Sequence, residues 1–296
     1  MFYQNYPGLP EVSHPVSALV SLTPSESKRL IARAVAQLPE VAHARREGWI
    51  IIARGTTNAF VAEEIMGLKL ENKHEYTRGS IVHGELNANH SREGVSNYVL
   101  HNGVVEPVKA NEAIHDFTHC DVFIKGGNAV DPTGEAAVLA GDWEAGTVGY
   151  SLTILLARAS SLIVPIGLEK LIPSVAQASP KCGVLRPKYS TGLSCALVPL
   201  VNGKVVTEIQ AFAILGGVRA TQVAAGGFGG SEGTVTLVLE GAEAAIETAF
   251  NLVKSIKGEP NLPAPHHVNP PAARVNYDPK ALLPATPVRC SRYIGG

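Results

Sequence analysis

The segment Asp121-Val-Phe-Ile-Lys-Gly-Gly-Asn-Ala-Val-Asp131 opens with three apolar residues and breaks at a pair of glycines. Val122–Ile124 reads as a buried strand, and Asn128 falls where the strand's carboxyl end should open. Ligands of α/β sheets bind at the carboxyl ends of strands. Lys125, Gly126, Gly127 and Asn128 are therefore candidate ligand contacts. Asn128 reads either as a turn residue that tolerates left-handed backbone or as an amide that orients a ligand hydroxyl or carbonyl. Lys125 is either an edge lysine that snorkels to solvent or a Schiff-base or phosphate-pairing group. Asp131-Pro-Thr-Gly134 is a β-turn signature. A helix expected over Thr147–Ala159 then leads to a strand over Ser161–Ile166. That order is a βαβ crossover, so the two strands should be parallel.

Upstream, Thr23-Pro-Ser-Glu26 is a helix start, with a Thr cap, Pro at the first position and an acid in the first turn. Leu30, Ile31, Ala34, Val35 and Leu38 give the helix its apolar stripe, and Pro39 should kink or split it. Trp49–Ala53 is a buried strand. Arg54-Gly-Thr-Thr-Asn58 follows, with a helix expected from Ala59 to Met66. Gly55, Thr56, Thr57 and Asn58 thus form a second candidate wall. Amides and hydroxyls at a helix N-terminus suit a phosphate or carboxylate, although Thr and Asn also serve there as plain caps. Asp131 and Asp142 are the candidate bases if the site is catalytic. Glu63 or Glu64 faces either that pocket or solvent.

Composition changes near residue 175. Strands over 194–199, 219–224 and 234–239 and helices over 207–215 and 242–257 give the order β-α-β-β-α of a small ferredoxin-like sandwich. Gly226–Gly233 between two of those strands reads as a hairpin loop. The expected division is an arm over 1–22, a Rossmann-like domain over 23–178, an α+β domain over 179–258 and a Pro-rich tail over 259–296. The fold class is α/β, a mostly parallel sheet with helices on both faces.

With 45% hydrophobic and 17% charged residues over 296 positions, the chain is globular. A formal net charge of -1 argues against a nucleic-acid partner. No apolar run is long enough to span a membrane, and the first residues lack the pattern of a signal peptide. Four sparse cysteines without a Cys-x-x-Cys pair suggest reduced thiols and a cytoplasmic protein. His115 and His119 have the i,i+4 spacing of zinc ligands, with the Cys120 thiol beside them. They lack the Glu of a His-Glu-x-x-His motif and an evident third ligand beyond His83, Glu85 or His90. Neither a metal nor a cofactor is expected. His266-His267 in the tail reads as solvated. A homo-oligomer is compatible with the tail and the glycine-rich loop.

Taken as an ordered set, helix, strand, Gly-Thr-Thr-Asn, helix and Asp-x-x-x-x-Gly-Gly-Asn-x-Val-Asp resemble a known superfamily. It contains ribose-5-phosphate isomerase A, glucosamine-6-phosphate deaminase, coenzyme A transferases and methylthioribose-1-phosphate isomerase. The resemblance covers roughly residues 23–175. It implies a sheet-edge pocket for a small anionic metabolite, a phosphorylated sugar or a carboxylate, and proton-transfer isomerase or lyase chemistry. Where the isomerases carry a catalytic aspartate this chain has Asn128, which is no base near neutral pH. Asp131 takes the place of their next acid. The alternatives are a non-catalytic binding or assembly protein, and a coenzyme A transferase with Glu135 or Glu144 as its nucleophile.

Overall fold

Thr23 caps the first helix as a capping box, accepting from the Glu26 amide while the Glu26 carboxylate accepts from the Thr23 amide. The strand before it belongs to the body. In the computed structural model, which describes residues 1–6, 8–88 and 96–265, the chain runs β1 (Val16–Leu22), α1 (Pro24–Ala36), α2 (Pro39–Glu47), β2 (Trp49–Ile52) and α3 (Thr56–Met66). It continues through β3 (Gly79–Val82), β4 (Glu85–Ala88), β5 (Tyr98–His101), β6 (Val104–Val105), α4 (Ala110–Ala113) and β7 (Val122–Ile124). Next come β8 (Ala129–Val130), β9 (Ala136–Ala140), α5 (Gly146–Arg158), β10 (Ser161–Pro165) and α6 (Val175–Ala178). The last elements are β11 (Ala196–Pro199), β12 (Lys204–Val206), α7 (Glu208–Gly216), β13 (Arg219–Ala225), β14 (Val235–Gly241) and α8 (Glu243–Ile256).

The fold is mixed α/β around a six-stranded sheet in the order β12-β10-β7-β2-β5-β6. β12, β10, β7 and β2 are parallel, with Ile50, Ile51 and Ile52 beside Val122, Phe123 and Ile124, while β5 pairs antiparallel with both β2 and β6. The alternation of a strand sends Ile50, Ile52, Val122 and Ile124 to one face, against α1, α3, α7 and the small sheet. Ile51, Phe123, Leu162 and Val164 face the other way, against α4 and α5. The crossover expected between β7 and β10 is present, and the two strands pair in parallel.

Sheet membership departs from the expected division at two places. Val16–Leu22, placed in an extended arm, is a full strand that pairs with β14 antiparallel along its whole length. Its alternation of buried Val20 and Leu22 with outward Leu19 and Ser21 is a half-buried strand pattern. The proline-interrupted residues before it hide that pattern. β11 and β12 lie on the far side of the expected boundary, yet β11 pairs with β9 and β12 extends the central sheet. The small sheet is β1-β14-β13, so its third strand comes from the N-terminal end. β13 and β14 form the expected hairpin, and Phe228 at its tip is exposed.

Among the described residues no helix is long and apolar enough to cross a membrane. His90, the pair His266-His267 and the tail from 266 onward lie outside the described residues.

Candidate functional site

β2 and β7 are neighbours whose outgoing connections diverge. After β2 the chain enters α3 on one face of the sheet, and after β7 it reaches α5 on the other. Such divergence between adjacent parallel strands is the topological switch point at which α/β sheets open a crevice. The segments that leave the two strands at this point are Arg54–Asn58 and Lys125–Asn128, the two singled out from sequence.

Two buried side chains clamp these strands at opposite ends. At the amino ends, Asp121 accepts from the Trp49 amide at 2.6 Å and from the Thr118 hydroxyl at 2.9 Å. Gly48 is required there, because a Cβ would lie 2.6 Å from the Asp121 carboxylate. At the carboxyl ends, fully buried Asn58 donates through Nδ2 to the Ala53 carbonyl (2.6 Å) and the Ile124 carbonyl (3.2 Å). The reverse amide orientation would set an oxygen against two oxygens, so these bonds fix Oδ1 toward Gly126. A Cβ on Gly126 would lie 3.5 Å from it, and that oxygen has no partner.

The helix after β2 starts at Thr56, three residues earlier than the sequence suggests, so Thr56, Thr57 and Asn58 form its first turn. No side chain caps that turn; Gly55 precedes it with extended backbone. Thr57 is buried and Thr56 half-buried.

Arg54 and Lys125 stand just past the carboxyl ends of β2 and β7. Lys125 Nζ donates to the Arg54 carbonyl at 3.3 Å. Burial, with Arg54 and Lys170 nearby, lowers Lys125 to about 8. The Arg54 Nε is buried without a hydrogen-bond partner. Burial and then the neighbouring Arg78 hold the Arg54 guanidinium below its ordinary range, against the opposing influence of Tyr76 and Tyr150. Among the described residues neither Arg54 nor Lys125 has an ion-pair partner, whereas Lys204 and Lys257 each meet a carboxylate at 2.8 Å.

Further along the same edge lies an acid pair that sequence reasoning missed. Glu208 follows β12 and is fully buried; its Oε2 accepts from the Leu168 amide at 2.9 Å and its Oε1 has no partner. Burial, reinforced by the Glu169 carboxylate, pushes Glu208 up to about 7. Glu169 lies over Gly167, where a Cβ would collide with Oε2, and its Oε1 is 3.8 Å from the buried ammonium of Lys28. Lys170 joins the two groups: Nζ donates to the Gly127 carbonyl at 3.2 Å and lies 3.9 Å from Glu169. Arg54 and Lys125 are the first charged residues after apolar strands, and Glu208 is the first after Val205-Val206. That position is a signal the sequence does carry.

Several expected site residues serve the scaffold instead. Asp131 is buried, with Oδ1 accepting from the amides of Thr133 (2.9 Å) and Glu135 (3.2 Å) and the Thr133 hydroxyl (2.6 Å), and Oδ2 from the Val175 amide (2.9 Å). Burial alone would raise this carboxyl; the bonds outweigh it and hold it below the usual range. Asp142 is exposed and accepts from the amides of Glu144 and Gly146, so it closes the turn that leads into α5. Asn128 accepts from the Leu139 amide at 3.0 Å and pins β9. Gly127 is a packing glycine, since a Cβ would sit 2.8 Å from Ile166 and 3.0 Å from the Ala137 carbonyl. Glu63 belongs to a network with Arg29 (2.5 Å) and Lys73 (3.3 Å). His115 lies in a 3-10 turn that ends before His119, so the helical spacing is not realised. Among the described residues no three His, Cys, Asp or Glu side chains converge to hold a metal.

No protein-family model matches this chain, and comparisons with curated proteins and with solved structures find no significant match.

Proposed function

We propose that the chain binds a small anionic metabolite, a phosphorylated sugar or a carboxylate, in the crevice between β2 and β7, and that its central sheet is a Rossmann-like unit. The observation that carries this is the pair Arg54 and Lys125, two cations at a switch point without a carboxylate partner among the described residues. A buried charge without a counter-charge is costly, and an anionic ligand would remove that cost. The uncapped first turn of α3 adds N–H groups of the right polarity. The reading accords with the sheet-edge pocket that the superfamily resemblance implies.

Thermal unfolding with inorganic phosphate, glycerol 3-phosphate, sugar phosphates and small carboxylates tests it. At a ligand concentration of roughly 100 times Kd, stabilisation is about 2.7 kcal/mol, read as a rise in Tm. Arg54→Gln should weaken binding about tenfold or more, because a charge-assisted bond is lost. No shift with any anion, or an equal shift in Arg54→Gln, rules the reading out. Solvent hydrogen exchange into the bound ligand then separates a proton-transfer isomerase or lyase from a non-catalytic binding protein.

A further inference from the structure

We propose that Lys125 is a nucleophile that condenses with an aldehyde or ketone group of the bound anion to form an imine, which makes the ligand class a phosphorylated or carboxylated carbonyl compound. This rests on the reading that the crevice binds an anion. The geometry that supports it sets Lys125 apart from the lysines that meet carboxylates among the described residues. Lys73, Lys204 and Lys257 lie 2.8–3.4 Å from carboxylates, and Lys28 and Lys170 lie near Glu169. Lys125 has only the Arg54 carbonyl. It stands half-buried at the strand end, where Asn58 fixes the spacing of the two carbonyl ends beneath it. Arg54 and Lys170 flank it with like charge. Desolvation beside another cation is the recognised way to raise the neutral, reactive fraction of a lysine amine.

The step balances without an oxidant or reductant. The neutral Nζ attacks the carbonyl carbon, and the C=O π pair moves to oxygen, which takes a proton. The nitrogen then forms the C=N bond as the oxygen leaves in water, so one amine and one carbonyl give one imine and one water. Lowering the amine from its ordinary 10.5 to about 8 raises its neutral fraction at pH 7 about 300-fold over an exposed lysine.

The test treats the full chain with glyceraldehyde 3-phosphate and, separately, pyruvate, reduces with borohydride, and maps adducts by mass spectrometry. Glycerol 3-phosphate and lactate serve as anions without a reactive carbonyl. The expected result is one adduct on Lys125, equal to the ligand mass less one oxygen atom, suppressed by the matching non-carbonyl anion. Lys125→Arg, which keeps the charge, and Lys125→Met should both lose the adduct. Binding of the anions with no adduct overturns the nucleophile and leaves the binding site standing. Adducts spread over exposed lysines such as Lys109 and Lys188 at similar yield overturn it too, and no binding of either kind overturns both readings.

Discussion

Replacing Glu208 by Gln should make the protein more stable above neutral pH. Glu208 is fully buried, and the Glu169 carboxylate beside it opposes a second negative charge. Its folded-state pKa of about 7 stands above the ordinary 4.5. The sign follows from linkage. Below about pH 4.5 the carboxyl is protonated in both states. Between 4.5 and 7 the unfolded chain ionises while the folded chain keeps its proton. Stability is therefore fully present at low pH and declines as pH rises toward 7. A difference of roughly 2.5 pH units corresponds to about 3 kcal/mol as an upper figure. Gln keeps an acceptor for the Leu168 amide, which Oε2 now meets at 2.9 Å, and cannot ionise. Urea denaturation from pH 5 to 8.5 reads the effect: the wild type should lose about 2–3 kcal/mol relative to the variant across that range. Glu169→Gln should lower the Glu208 pKa and flatten the same profile. Equal pH slopes in wild type and Glu208→Gln, or a variant less stable at pH 8, would refute the assignment.

Gly127→Ala should cost about 1–3 kcal/mol, because its Cβ meets Ile166 and the Ala137 carbonyl within 3.0 Å. Gly126→Ala, with nothing closer than 3.5 Å, should cost clearly less; equal Tm losses would contradict that contrast. Asp131→Asn should lose about 2–3 kcal/mol through its bonds to Thr133, Glu135 and Val175 without altering anion affinity. Because the Asp131 pKa is lowered in the fold, its contribution is present above about pH 4 and disappears on acidification, so the wild type and variant should converge in denaturation at low pH.

Much of the local structure was legible in the sequence, because apolar strands bounded by glycine and helices opened by Thr caps leave local marks. The turns that leave β2 and β7 were legible for the same reason: Gly55 and Gly126 follow apolar runs. The partners of the strands were less so. Residues 16–22 read as an arm because their partner, β14, lies at the other end of the chain, and strand pairing leaves no local signature. The backbone bonds of Asp131 and Asn128 were not legible, because a carboxylate or amide after a turn looks the same whether it faces a ligand or the backbone of Val175 or Leu139. The acid pair went unseen because Glu169 and Glu208 lie on separate connections and meet only when β10 and β12 pair.

The pairing of Val16 with Gly241 also bears on how the chain comes to be folded. A newly made N-terminal half has β1 but not the hairpin that covers it. The apolar side of α1, with Leu30, Ile31 and Val35, then lacks the packing that Leu237 and Leu239 complete. Closing so long a loop adds little entropy per doubling of its length, yet it raises contact order and so slows assembly. During synthesis the first strand stays an unpaired edge until β14 emerges. That interval, rather than the finished fold, is where this chain is most exposed to aggregation.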